Sequence, residues 1–189
     1  DMGEAKGNAI QLYGAKLIGN FKFTKSRIGY LSPGHNTAYY DQLTGKNYII
    51  FHSRFPGKGE MHNLRVHQML MNAEGWPVIA PHRYAGETVG SYSLDEVVGV
   101  YQYINHGKSI SADVNESVNI ELMTDGQVSG AVEGRWERTG DYMVTLILDG
   151  ETYYGVFLKQ WDNGLKEYVM TFSALSPEGV AIWGSQIKR

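Results

Sequence analysis

Glycine constrains this chain more than any other residue type: 23 of its 189 positions carry it, most of them in or beside turn dipeptides. Between those turns lie short runs in which aromatic and β-branched residues alternate with polar ones, and no segment sustains an apolar period of 3.6. A chain punctuated in this way builds strands and hairpins rather than helices, so the sequence predicts a nearly all-β protein.

In the first part, Thr37 to Tyr40 and Tyr48 to His52 read as strands joined by Asp41 to Lys46, with Gly45 available for positive φ. Arg65 to Met71 reads as a third strand, ended by Asn72 to Gly75. Pro77, Pro81 and Gly86 then punctuate a passage to a second region, and Tyr92 to Val97 reads as a connector. The boundary is placed near Glu87, giving segments 1–87 and 88–189.

From Val98 onward, strand candidates alternate with Thr124-Asp125-Gly126, Thr139-Gly140-Asp141, Asp149-Gly150 and Asn163-Gly164. Asp-Gly and Asn-Gly favour the type I′ turn, whose twist matches paired strands, so sequence neighbours are expected to be sheet neighbours. Val144, Leu146 and Leu148 fall on one side of their strand, and Tyr154, Val156 and Leu158 are expected to repeat that pattern across the turn. Such an up-and-down sheet must close or double over to hide its edges, which predicts a small antiparallel barrel or sandwich.

A formal charge of −3 without any Lys/Arg run argues against a nucleic-acid partner, whose phosphates demand a basic patch. No apolar run approaches the roughly 20 residues of a membrane span, and Asp1 opens no signal-peptide pattern. Cysteine is absent, which excludes disulfide and thiolate chemistry. Asn115-Glu116-Ser117 fits a glycosylation acceptor, a match too short to carry weight.

Histidine and arginine concentrate between positions 32 and 84. Because strands of a meander run antiparallel, the loop entering the first strand and the loop leaving the second share one edge, which places His35 beside Arg54 to Asn63. Taken alone, His35 reads as a turn residue bonding its own loop or as a ligand. His52, His62 and His67 lack the spacing of a zinc site, and alternation makes His67 a hydrogen-bonded sheet residue. Arg54 beside Phe55 offers a sugar both polar contacts and an apolar ring face, while pairing of Arg54 with Glu60 is the competing reading.

Ser32-Pro33-Gly34-His35-Asn36, Phe51-His52-Ser53-Arg54-Phe55-Pro56-Gly57, Arg65-Val66-His67-Gln68-Met69, Gly75-Trp76-Pro77-Val78 and Ala80-Pro81-His82-Arg83-Tyr84 occur in that order. From about Tyr13 to Glu87 this resembles the last blade of the five-bladed β-propeller of extracellular endo-α-1,5-L-arabinanases of glycoside hydrolase family 43. The three strands suit one blade, and those enzymes commonly continue into an all-β domain.

The resemblance implies a secreted hydrolase cleaving internal links of arabinan by inversion, with His35 contacting one metal ion, calcium by the family's habit, although calcium prefers oxygen ligands. The shared sheet edge, read from the residues themselves, offers Asn36, Arg54, Phe55 and His62 as substrate contacts. Inversion needs a carboxylic acid and a carboxylate base, which in that family, with an auxiliary aspartate, come from earlier blades. The expectation is therefore a carboxy-terminal piece, inactive alone, whose partner is an amino-terminal propeller polypeptide. The alternative is a non-catalytic carbohydrate-binding or structural β module. Trp136, Trp161, Trp183, Tyr153 and Tyr154 would supply its stacking platform, although a barrel core or domain interface claims the same residues. A lipocalin-like pocket inside the barrel has no motif behind it.

Overall fold

The structure, a computed structural model, describes residues 14–187; the remainder of the 1–87 and 88–189 segments, Tyr13 included, lies outside the described residues. It is all-β apart from one helical turn, as the turn spacing predicts. β1 (Phe21–Lys22), β2 (Gly29–Asp41), β3 (Lys46–Arg54), β4 (His62–Met71) and β5 (Pro77–Ile79) form a sheet, and α1 (Leu94–Val97) leads out of it. β6 (Gly99–Asn105), β8 (Val118–Leu122), β9 (Gln127–Gly130), β10 (Gly134–Arg138), β11 (Met143–Leu148), β12 (Glu151–Asp162), β13 (Glu167–Leu175) and β14 (Ala181–Gln186) close into a barrel. β7 (Asn115–Glu116) leaves the barrel's run of sequence to pair in parallel with β1.

Sequence neighbours are barrel neighbours, and the ring closes where β14 pairs antiparallel with β6. Closure removes the exposed edges that an open meander would present. The two-residue turn Asp149-Gly150 takes positive φ at both positions, 50° and 84°, as a type I′ hairpin requires. Asn163-Gly164 behaves otherwise. There the positive φ falls on Lys166, at 56°, and the Asp162 carboxylate accepts the Gly164 and Leu165 amides. Gly164 is required for another reason, since a Cβ would stand 1.9 Å from the Ser26 carbonyl oxygen.

Apolar side chains pack along the middle of the barrel. Val144, Leu146 and Leu148 point inward as their alternation predicts, joined by Tyr101, Trp136, Phe157 and Phe172. At one end of the barrel, Tyr103, Leu148 and Tyr153 line a hollow of about 480 Å³ that Glu151 and Glu178 border. The expectation for β12 needs correction: Leu146 pairs with Tyr153 and Thr145 with Tyr154, so Tyr153 and Phe157 face inward while Val156 faces out. The outer face is buried too, because Val156, Leu175 and Ala181 pack against Val78 of the sheet. A strand covered on both sides reads as a continuous apolar run, and its inward set cannot be taken from pattern.

A second cluster joins sheet to barrel, with Phe21, Phe23, Tyr30, Phe51 and Ile79 packed on Ile104 and Trp183. Trp183 lies edge-on to Phe21 at 5.1 Å and to His106 at 4.4 Å. Trp136, Trp183 and Tyr153 are buried, in keeping with the core and interface reading of these aromatics. One face of the β2–β3–β4 sheet is thus covered by the barrel. On the other face, Tyr39, Leu64 and Val66 are 53%, 71% and 37% exposed.

Candidate functional site

His35 does not stand at the mouth of a short strand. It lies inside β2, a strand of 13 residues, at an irregularity where the register against β3 slips on both sides of the Gly34–His52 pair. Ser32 and His35 adopt left-handed backbone conformations there, with φ of 48° and 47°. Two non-glycine residues in that region cost on the order of 1–3 kcal/mol each, and such strain persists where a bulge must re-aim a side chain.

The bulge aims the His35 ring at β3. Its Nδ1 lies 3.4 Å from Nδ1 of His52, with ring centroids 4.7 Å apart. His52 in turn meets His62 of β4 with centroids 5.3 Å apart. The three imidazoles form a row across three strands on the face turned away from the barrel. Desolvation, followed by the charges of His35, His62 and Arg54, lowers the pKa of His52.

The edge-sharing argument thus brings His35 next to His62 and the Arg54 loop. Arg54 clasps Glu60 through two contacts, Nη1 to Oε1 at 3.1 Å and Nη2 to Oε2 at 2.9 Å. Asn36 is exposed beside the row, and the hydrogen bond of the His35 ring goes to His52. Phe55 leaves the row altogether: it packs with Tyr30 and under the Arg65 guanidinium on the barrel side. Arg54 and Phe55 therefore do not make one platform, because adjacent residues of an extended strand point to opposite faces.

His67 also faces the barrel. It is fully buried, with Nδ1 2.7 Å from the Ala80 carbonyl and Nε2 3.1 Å from the Tyr30 hydroxyl. The neutral tautomer with its proton on Nδ1 satisfies both contacts, as expected for a hydrogen-bonded sheet histidine.

Neither does the imidazole row make a calcium cage. Among the described residues no group of three or more histidine or acidic side chains is placed to hold a metal ion, and a hard cation demands oxygen, which this row lacks. His35 offers one nitrogen.

Two constellations that sequence reading missed have the ingredients of catalysis without its geometry. His82 Nε2 lies 2.8 Å from Ser185 Oγ and 3.6 Å from Asp162 Oδ2, all three side chains buried. In a nucleophilic triad, serine and carboxylate occupy opposite ring nitrogens; here both meet Nε2, and the cluster is a clamp between the lobes. At one mouth of the barrel, hydrogen bonding to Glu178 raises the Glu151 pKa and lowers that of its partner. Carboxyls in hydrogen-bond contact leave no room for the sugar and water that inversion places between groups about 6.5–9.5 Å apart.

Residues 81–184, more than half of the chain, match the C-terminal lipocalin-like domain of glycoside hydrolase family 43. The chain belongs to family 43. Extracellular endo-alpha-(1->5)-L-arabinanase 2 of Bacillus subtilis is 49% identical over 181 residues, covering 94% of this chain and 39% of that protein. The extracellular endo-alpha-(1->5)-L-arabinanase of Thermotoga petrophila is 50% identical over 188 residues, covering 95% and 40% respectively. The crystal structure of the family 43 YxiA protein of Bacillus licheniformis superposes with a TM-score of 0.93 at 54% identity, covering 98% of this chain and 43% of its own. This family 43 chain therefore spans about two fifths of the length of the curated relatives it matches.

Proposed function

We propose that the chain is the carboxy-terminal part of an extracellular endo-α-1,5-L-arabinanase that hydrolyses internal arabinan links by inversion. In this reading an amino-terminal propeller polypeptide supplies the catalytic acid, base and auxiliary aspartate. The observation that carries the proposal is the near 50% identity, over 94% and 95% of the chain, to two proteins of that description.

The open face of the sheet supports it. Tyr39, Leu64 and Val66 surround the imidazole row with apolar surface of the kind a further layer of structure covers. The reading assigns that layer to the amino-terminal polypeptide, and the sheet itself to the last blade of the propeller. His35 then contributes a single nitrogen to an ion whose other ligands come from outside this chain. Asn36, Arg54 and His62 border the same surface, where arabinan would be met. Of the five aromatics a carbohydrate-binding module would use, Trp136, Trp183 and Tyr153 are buried, which leaves Trp161 and Tyr154 partly open.

The test is complementation. The chain alone is expected to release no reducing sugar from arabinan, and mixing it with the amino-terminal part of the enzyme should restore hydrolysis. His35→Ala in the assembled enzyme should lower kcat while leaving its circular dichroism unchanged. Turnover by the isolated chain would overturn the division of labour.

A further inference from the structure

Where sheet, linking segment and barrel meet lies a cleft of about 470 Å³, within the size range of small-molecule sites and at the kind of domain junction they favour. Its charge is one-sided. Arg27, Lys58, Arg65 and Arg83 line it, and no aspartate or glutamate does, in a chain whose formal charge is −3. The ion pairs of the described residues are Lys22–Glu116, Arg54–Glu60, His82–Asp162 and Lys159–Glu96, and none of them uses Arg27, Lys58, Arg65 or Arg83. The acidic neighbours Glu87 and Asp162 are buried and turned to backbone amides, Glu87 to those of Ala85 and Trp161.

Arg65 is held in place before any ligand arrives. Its guanidinium lies 4.4 Å from the Phe55 ring centre and 5.5 Å from that of Tyr30. Nη1 donates to the Leu64 carbonyl at 2.8 Å, while Nε is buried without a hydrogen-bond partner. A guanidinium stacked on rings keeps its planar fork fixed, which lowers the entropy lost when a carboxylate docks. Trp161 also lines the cleft, edge-to-face with Tyr168 at 5.3 Å, and its indole is an aromatic surface of the kind that packs on sugar rings.

We propose that this cleft binds an acidic saccharide, with a uronate carboxylate held by Arg65 and Arg83 and its pyranose ring laid against Trp161. The site is separate from the imidazole row, being on the barrel side of the sheet, and does not depend on the arabinanase reading. Cations alone would attract any anion; the aromatic wall is what specifies a ring.

Calorimetric titration of the full chain with trigalacturonate at low salt is expected to show one site whose affinity falls as salt rises. Arg83→Gln, at an exposed position, should weaken binding about tenfold, the value of one charge-assisted contact. Trp161→Ala should weaken it comparably, and the neutral trisaccharide arabinotriose should not compete. Binding unaffected by Arg83→Gln, equal binding of arabinotriose, or displacement of trigalacturonate by equimolar inorganic phosphate would each overturn the proposal.

Discussion

His82 and Asp162 approach to 3.6 Å with neither side chain open to solvent, one on the segment that leaves the sheet and the other at the end of β12. Burial lowers the His82 pKa, and the charges of Asp162 and Glu87 only partly oppose it. The imidazole therefore stays neutral at neutral pH and works as a hydrogen-bonding hub: Ser185 bonds the ring, and Gln160 exchanges contacts with the His82 backbone.

Removing either partner leaves a buried polar group uncompensated. Asp162→Ala also strips the acceptor from the Gly164 and Leu165 amides, so it should cost about 2–4 kcal/mol of unfolding free energy, and His82→Ala about 2–3. Asp162→Asn, which keeps an oxygen for those amides, should cost less. Urea midpoints of the three variants check this ordering; an Asp162→Ala protein as stable as the parent would contradict it.

Acid should unfold the protein through its buried histidines. Burial pushes His67 and His106 down to about 3; the Ala80 hydrogen bond opposes the shift of His67 and the charges of Arg65 and Arg83 add to it, while Lys16 adds to that of His106. Above pH ~6.5 both folded and unfolded states are neutral at these rings and nothing is lost. As pH falls below that value the unfolded chain takes up protons that the folded one refuses, so stability declines toward pH 3. At pH 4.5 the loss is on the order of 3 kcal/mol for each ring. His106→Asn keeps an acceptor for the Gly19 amide and should flatten the slope of stability between pH 6 and 4 by about one proton. An unchanged slope in urea titrations across that range would refute the assignment.

Gly184 sits where the Phe172 ring crosses β14, and a Cβ there would meet Cε1 of that ring at 2.1 Å. Gly184→Ala should therefore destabilise the barrel by about 1–3 kcal/mol, and a second change, Phe172→Leu, should recover part of the loss. Gly134→Ala should be worse, because its Cβ would meet the Ile147 carbonyl oxygen at 1.9 Å and backbone has no rotamer to escape into. Thermal denaturation of the single and double variants measures both effects.

These features differ in how far they can be read from the chain. The hairpins of the barrel were legible because Asp149-Gly150 announces its own turn, and β11 because one of its faces is wetter than the other. His67 was legible from alternation alone. The bulge at Ser32 and His35 was not, since nothing local predicts two left-handed residues around Pro33-Gly34, and so β2 is far longer than Thr37 to Tyr40. Phe55 was misread beside Arg54 because adjacency in sequence is opposition in a strand. The Arg65 stack and the His82 clamp are contacts between segments remote in sequence, and single-residue pattern carries no trace of them.

One small strand decides how separable the two lobes are. Asn115 and Glu116 come from the barrel's stretch of sequence yet dock beside Phe21 and Lys22, with Ser117 receiving the Thr24 amide. Cutting after Glu87 would tear that thread out of the neighbouring sheet. Anyone grafting this barrel onto a different enzyme inherits an unmatched edge at Asn115 and Glu116.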